Sequence, residues 1–64
     1  MNLNVGDRVE LTDSMKRAVS DPFYRTARGT VTYVGSWNVC DVLWDGKEKA
    51  HMMRNNELQI IEEG

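Results

Sequence analysis

Apolar and polar residues alternate near the start of this chain. Four apolar residues occupy odd positions: Leu3, Val5, Val9 and Leu11. Residues 8, 10 and 12 between and beyond them are polar. A period of two is typical of a strand with one buried face. The pattern therefore predicts a first strand over residues 8–12, entered through a turn at Gly6-Asp7.

The rest of the chain carries four more segments typical of strands. The predicted strands are residues 29–34, 39–44, 47–53 and 58–61. The second and third are rich in β-branched and aromatic residues, and Asp45-Gly46 is a strong hairpin signal. We expect turns at 35–38 and 54–57 and a frayed tail at 62–64. No window shows a sustained 3.6-residue period, so the 64 residues predict one all-β domain over residues 1–64.

Residues 13–28 lack the alternation and predict a long, partly ordered loop between the first two strands. Asp13 or Ser14 is placed to cap a short helical turn over residues 15–18. Asp21-Pro22 would then end that turn, since a residue before proline avoids the helical region.

The register of the Asp45-Gly46 hairpin decides which side chains are buried. A two-residue loop would set Cys40 opposite His51, whereas a three-residue loop would set Cys40 opposite Ala50. We favour the second because it collects apolar residues on one face. The predicted inner face is Val31, Tyr33, Cys40, Val42, Ala50 and Met52, completed by Val5, Val9, Leu11, Leu58 and Ile60. The predicted outer face is Thr30, Thr32, Val34, Val39, Asp41, Leu43, Lys49 and His51.

Charge and cysteine content narrow the classes of function. The formal net charge is −2, which disfavours general nucleic-acid binding but leaves room for a basic patch within residues 14–30. Cys40 is the only cysteine, so no intrachain disulfide is possible, and this fits a reducing cytoplasm. No apolar run is long enough for a membrane span, and residues 1–4 do not resemble a signal peptide. We expect a cytoplasmic protein without membrane contact.

Four segments resemble the layout of small SH3-like barrels of bacteria and phages, including KOW and Tudor-like modules. The matching segments are residues 6–11, 28–31, 42–46 and 57–58. The resemblance implies a five-stranded SH3-like barrel, with the 13–28 loop in the place of the SH3 RT loop. The resemblance is characteristic of the fold and does not specify a function. The surface residues discussed below lead us to expect a non-enzymatic interaction module, an accessory protein of bacterial or phage origin.

Three departures limit what the resemblance implies. The acidic-aromatic motif and paired tryptophans of proline-binding SH3 domains are absent, so PxxP ligands are not implied. The long loop interrupts the glycine-rich approach of a KOW motif. Plasmid-encoded type II dihydrofolate reductase is similar at residues 6–9 and 34–37, but its Val-Gln-Ile-Tyr strand is replaced by residues 50–53, Ala-His-Met-Met.

Two sets of residues are candidates for binding. The set for a protein partner or a second copy is Phe23, Tyr24, Arg25, Arg28, Trp37, Val39 and Leu43. The set for the alternative, nucleic acid, is Lys16, Arg17, Arg25 and Arg28, with Tyr24 or Trp37 stacking on bases.

Each candidate also has a purely structural interpretation. Phe23 and Tyr24 would instead cap one end of the barrel, and Trp37 would pack on Tyr33 or on the loop. The apolar residues of the outer face would be covered by the 13–28 loop rather than by a partner.

Catalysis and metal binding are not expected. Cys40 and His51 form the one nucleophile–base pair worth testing, yet the favoured register places them on opposite faces with no third group. Asp41 is better explained by pairing with Lys49, and Asp45 by the turn. We expect no cofactor, Cys40 and Met52 in the core, and Met53 exposed.

Overall fold

The computed structural model describes residues 3–61, so the tail predicted at 62–64 lies outside the described residues. Five strands are present: β1 (Arg8–Leu11), β2 (Gly29–Val34), β3 (Val39–Trp44), β4 (His51–Arg54) and β5 (Leu58–Ile60). The helices are α1 (Asp13–Ala18), α2 (Pro22–Thr26) and a single 3₁₀ turn over Asn55–Glu57. None of the helices described between residues 3 and 61 has the length and apolar character needed to cross a membrane.

The strands form one antiparallel sheet in the order β4-β3-β2-β1-β5. β1 pairs with both β2 and β5, which brings the two ends of the described chain together. β4 and β5 are the two edges, and the sheet does not close between them. The predicted five-stranded, mainly β fold is confirmed at this level.

The predicted bounds hold best where the strand signal is strongest. β2 and β3 begin and end at the predicted residues, and β1 ends one residue early. β4 begins four residues later than predicted, because residues 45–50 form a longer exposed connection.

Two short helices occupy most of the 13–28 segment, where a loop with one helical turn over residues 15–18 was predicted. The helical turn lies within α1, and the remaining loop prediction is corrected by the longer α1 and by α2. The Thr12 hydroxyl caps α1 by accepting a hydrogen bond from the Met15 backbone N–H, so the cap is neither Asp13 nor Ser14 as predicted. The Asp21 carboxylate caps α2 by accepting from the Phe23 N–H, and Pro22 takes the first helical position, where its missing N–H costs nothing. Asp21-Pro22 therefore begins a second helix, as well as separating it from the first.

The β3–β4 register differs from both predicted registers. Cys40 lies opposite Met53, and Val42 lies opposite His51. The longer connection shifts the ladder, and because side chains alternate between faces, the two methionines exchange roles. Met53 packs against the core, whereas Met52 is 73% exposed. Ala50 is also exposed, so neither Ala50 nor Met52 belongs to the core as predicted.

A β-bulge changes the face of Tyr33. The predicted pair Val31–Val42 is present, but the register shifts between Val31 and Tyr33, so that Tyr33 lies opposite Asp41. The extra residue turns Tyr33 away from the core, and it is 60% exposed instead of buried.

The core lies between the inner face of the sheet and the α1–α2 segment. Its buried residues are Leu3, Val9, Leu11, Ala27, Val31, Cys40, Val42, Trp44 and Leu58. Met15, Val19 and Tyr24 of the helical segment pack against them. Val5 and Ile60 were predicted in the core but are largely exposed, since Val5 lies in the turn before β1 and Ile60 at the end of an edge strand.

Candidate functional site

Strand β3 separates the predicted binding residues into two groups. Trp37 and Val39 lie where β3 begins, whereas the α2 aromatics lie near Trp44, where it ends. From Val39 to Trp44 an extended chain covers about 17 Å. The seven residues predicted for a protein partner therefore do not form one continuous patch.

The aromatic end is built around Tyr24. Its ring makes edge-to-face contacts with Phe23 and Trp44, at centroid distances of 5.0 and 5.8 Å. The His51 ring lies 6.5 Å away, and the Lys47 ammonium lies 4.8 Å from the Phe23 ring. Tyr24 is half-buried over the core, so its role is the structural one of closing this end.

The basic residues of the helical segment, residues 13–28, differ in whether their charges are free to contact a nucleic acid. The Lys16 ammonium donates to the Glu10 carboxylate at 2.5 Å, and this hydrogen bond lowers the pKa of Glu10. Arg25 donates to the Val19 carbonyl at 3.4 Å, while Arg17 and Arg28 are exposed. Lys16 thus contributes little positive charge to a nucleic-acid surface.

The turn between β2 and β3 holds Trp37 in an unusual conformation. Trp37 and Asn38 have φ values of 62° and 59°, in the left-handed region. Asparagine tolerates that region, but a bulky residue there costs about 1–2 kcal/mol. Two successive positive φ values are what a type I′ turn requires, and they match the twist of the flanking strands. The turn is anchored where the Asn55 N–H donates to the Asn38 carbonyl at 2.8 Å.

The Trp37 side chain is 94% exposed. It does not pack on Tyr33 or on the helical segment, so the structural interpretation of this residue is wrong. The left-handed backbone at Trp37 is strained, and the exposed ring makes no packing contacts within the described chain that would offset that strain. The ring is therefore available to another molecule.

An open cleft of about 700 Å³ lies beside Trp37. Its lining residues are Trp37, Asn38, Val39, Arg54, Asn55, Asn56 and Leu58. We call this the Trp37 cleft. Arg54 supplies its only formal charge, and the Arg54 backbone N–H is held by the Glu57 carboxylate at 2.9 Å.

Asn55 carries a polar atom with no partner. Its side-chain amide oxygen is buried, yet it accepts no hydrogen bond from any residue between 3 and 61. Asn55 also lines a second depression on the other side of the turn, together with Leu3, Asn4 and Val34. A buried acceptor left without a donor is costly to the fold.

The outer face of the sheet presents a row of three side chains across β2, β3 and β4. Tyr33 lies opposite Asp41, and Asp41 lies opposite Met52. The predicted pair Asp41–Lys49 is not formed. Val39 and Leu43 lie on the same face and are half-buried, and the packing of α1 and α2 against the core leaves Tyr33 and Met52 exposed.

Cys40 and His51 lie on the same face of the sheet, not on opposite faces as predicted, but they are not paired with each other. The Cys40 side chain is fully buried opposite Met53, and burial raises the pKa of its thiol. The exposed His51 ring lies beside Tyr24 instead. Across the described part of the chain, no three His, Cys, Asp or Glu side chains group so as to hold a metal ion.

Sequence reasoning missed the residues that complete the exposed surfaces. Arg54, Asn55 and Asn56 were assigned only to a turn, and Tyr33 and Met52 were assigned to the core. The one available signal was Trp37-Asn38 itself, since a tight turn with asparagine favours left-handed backbone.

Comparison with the models of known protein families found no match, and comparisons with curated proteins and with solved structures also found none. The function must therefore be argued from the residues themselves.

Proposed function

We propose that this chain is a small, non-enzymatic interaction module that binds a protein partner, or a second copy of itself, through Trp37 and the surface around it. The observation that carries the proposal is the 94% exposure of Trp37 on a left-handed backbone. Tryptophan is among the residues that contribute most to protein interfaces. Burial of the indole on binding would supply the energy that packing within the chain does not.

The neighbouring surface suits a partner of modest size. Val39 and Leu58 provide an apolar floor to the Trp37 cleft, and Arg54 lies within the same lining. An apolar centre with polar groups around it is the usual composition of a protein interface. Of the residues predicted for the partner surface, Trp37 and Val39 are retained here, Leu43 lies further along the same sheet face, and Tyr24 is assigned to the core.

We further propose an SH3-like barrel of bacterial or phage origin, acting in the cytoplasm. The strand order supports the barrel, because β1 lies between β2 and β5 and draws the chain ends together. The near-equal dimensions of 27 × 26 × 23 Å also support it, since they fit a strongly curled sheet better than a flat one. The burial of the lone Cys40 is compatible with a reducing compartment.

The test compares the wild type with Trp37→Asn. Asparagine tolerates the left-handed backbone at this position, so the turn should be retained while the indole is removed. Solution mass by light scattering reports self-association, and affinity capture from a bacterial lysate reports other partners. We expect either a dimer or a specific captured protein with the wild type, and neither with Trp37→Asn. Phe23→Ala is the matched control, because Phe23 is a partly exposed aromatic at the opposite end of β3.

A monomer that captures the same proteins before and after Trp37→Asn would refute the proposal. Thermal unfolding of each variant checks that it remains folded, and we expect a cooperative transition for both Trp37→Asn and Phe23→Ala. Leu43→Asp tests whether the interface extends along the sheet, since a charge there would oppose burial of that face.

Nucleic-acid binding through the helical segment is the second candidate function. It is favoured by the exposure of Arg17, Arg25 and Arg28 within twelve residues of each other, and opposed by the ion pair of Lys16. Such binding would weaken steeply as salt rises and would be lost in Arg25→Gln/Arg28→Gln. Binding through Trp37 would weaken much less over the same salt range, because Arg54 is the single cation among the described residues of the cleft beside it.

A further inference from the structure

We propose that the Trp37 cleft binds a short extended peptide in which an acidic side chain lies next to an apolar or aromatic one. This inference rests on the proposed function and specifies the chemistry of the partner. Three features of the cleft carry it: one charged side chain, a group of asparagine amides, and one exposed indole beside apolar residues.

The charge of the cleft favours an acidic ligand. Arg54 is the only charged side chain in the lining, and no carboxylate between residues 3 and 61 forms an ion pair with it. A guanidinium binds a carboxylate through two parallel hydrogen bonds. The carboxylate of an Asp or Glu side chain on the partner is therefore the group that Arg54 is placed to bind.

The amide groups of the cleft favour an extended backbone. Asn38, Asn55 and Asn56 line it together, and the buried amide oxygen of Asn55 has no donor among the described residues. An extended peptide presents an N–H and a C=O at every residue, whereas a helix has already used them. The exposed amides of Asn38 and Asn56 each carry donors and an acceptor, so they can pair with both groups of such a backbone.

The apolar part of the cleft defines the neighbouring residue of the ligand. The Trp37 indole stands in solvent beside Val39, and the floor ends at the buried Leu58. An apolar or aromatic side chain packed on the indole would bury both surfaces. This position lies beside Arg54, which is why the acidic residue is expected next to the apolar one.

A nucleic-acid strand fits this cleft less well. Binding to a phosphate backbone requires several cations in a row, and the cleft holds one. The net charge of −2 adds a repulsive contribution. Oligonucleotide binding is therefore kept as a contrary outcome of the test.

The experiment begins with a library of random heptapeptides displayed on phage and selected on the wild-type protein. We expect selected peptides to share an Asp or Glu adjacent to an apolar or aromatic residue. One selected peptide is then synthesised with a fluorophore and titrated by anisotropy. Arg54→Glu should weaken its binding about tenfold or more, and replacing the acidic residue of the peptide by Lys should restore binding to Arg54→Glu only.

Two control variants separate the outcomes. Arg25→Glu makes the same charge change on α2, away from the cleft, and should leave the affinity unchanged; Trp37→Asn should abolish binding of every selected peptide. Peptides that need Trp37 but lack acidic residues, with affinities indifferent to Arg54→Glu, would overturn this inference and leave the proposed function standing. Selection of no peptide that depends on Trp37, together with the unchanged capture described above, would overturn both.

Two further measurements exclude other occupants. The residues Ile60-Ile61-Glu62-Glu63 of this chain have the predicted ligand composition, so the solution mass of Arg54→Glu is compared with that of the wild type. If the wild type is a dimer and Arg54→Glu is a monomer, the occupant of the cleft is a second copy of this chain and the peptide proposal is wrong. Tighter binding of a labelled oligothymidine than of any selected peptide, lost in Arg54→Glu, would reassign it to nucleic acid.

Discussion

The two tryptophans of this chain lie at opposite ends of the region around β3 and have opposite environments. Trp44 is 1% exposed and lies under Tyr24, whereas Trp37 is 94% exposed on a strained turn. In a domain this small, every buried aromatic contributes a large share of the stability. The contrast separates a residue that holds the fold together from one that the fold presents to another molecule.

The electrostatics of the two ends follow the same division. At the Trp44 end, Arg8 binds both carboxylate oxygens of Asp45 at 2.9 and 2.6 Å. At the Trp37 end, Arg54 has no carboxylate partner among residues 3–61. The Arg8–Asp45 pair thus supports the Trp44 end, whereas Arg54 lies without a carboxylate partner in the described chain at the end where we propose that binding occurs.

The largest expected effect is the loss of the buried tryptophan. Trp44→Ala should cost about 3–5 kcal/mol of the free energy of unfolding, because it leaves a large cavity in the core. A 64-residue domain holds only about 3–5 kcal/mol, so we expect an unfolded protein by circular dichroism. Trp44→Phe should remain folded, since it keeps a ring there and removes an indole N–H that has no acceptor within the described chain. A cooperative, native-like urea transition for Trp44→Ala would show that Trp44 is not the residue that holds the fold together.

The second effect concerns the ring that covers Trp44. Tyr24→Ala should lower the free energy of unfolding by about 2 kcal/mol, since a half-buried ring contributes less than a buried one. A double-mutant cycle of Tyr24→Leu with Trp44→Leu, each of which removes one ring, should give a coupling of about 1 kcal/mol, measured by urea unfolding. Additive effects would show that the edge-to-face contact contributes nothing beyond burial.

The third effect has the opposite sign and lies at the exposed end. Trp37→Gly should raise the free energy of unfolding by about 1 kcal/mol, because glycine accepts a positive φ without strain. Trp37→Ala is the control, since alanine keeps the strain, and it should change stability little. Urea midpoints of the three proteins decide the point, and a loss of stability in Trp37→Gly would mean that the indole supports the fold.

The smallest effect is a loss of stability at acidic pH, caused by the protonation of carboxylates that are ion-paired in the folded protein. Hydrogen bonds from Arg8 lower the pKa of Asp45, and the Lys16 hydrogen bond lowers the pKa of Glu10. A lowered native pKa stabilises the fold above the unfolded value, near pH 4, and the contribution disappears as pH falls through the native value. We expect constant stability from about pH 7 to 5 and a decline below about pH 4.

The matched variant for the acid effect is Asp45→Asn. It should be slightly less stable than the wild type at pH 7 and should lose less on acidification. Thermal unfolding from pH 7 to pH 3 measures the difference. Identical pH profiles for the two proteins would show that the Arg8–Asp45 pair does not contribute to stability in solution.

The sequence predicted the strands more accurately than the faces. β2 and β3 were placed correctly because their β-branched residues give a strong local signal, and Val9, Leu11 and Val42 were correctly assigned to the core. Tyr33 was misplaced because a bulge leaves no mark in the hydrophobic pattern. Met52 and Met53 were exchanged because adjacent methionines fit either register.

The candidate site was predictable only in part. Trp37 stood out as an aromatic residue in a short turn, and the structure exposes it as the binding hypothesis requires. Arg54 and Asn55 could not be assigned to the same site, because they are 17 and 18 residues further along the chain and meet the turn only through tertiary contacts. The split between the α2 aromatics and Trp37 likewise depends on tertiary structure.

The bulge in β2 has a consequence for how this hairpin tolerates change. Below it, Gly29, Thr30 and Val31 keep a fixed ladder with β3, and a side chain at Gly29 would collide with Val42. Above it, the ladder continues one residue out of step, and the tip is held to the 3₁₀ turn by the hydrogen bond from the Asn55 N–H to the Asn38 carbonyl. A loop of another length grafted at this tip would therefore have to keep Asn38 in place for that bond to survive.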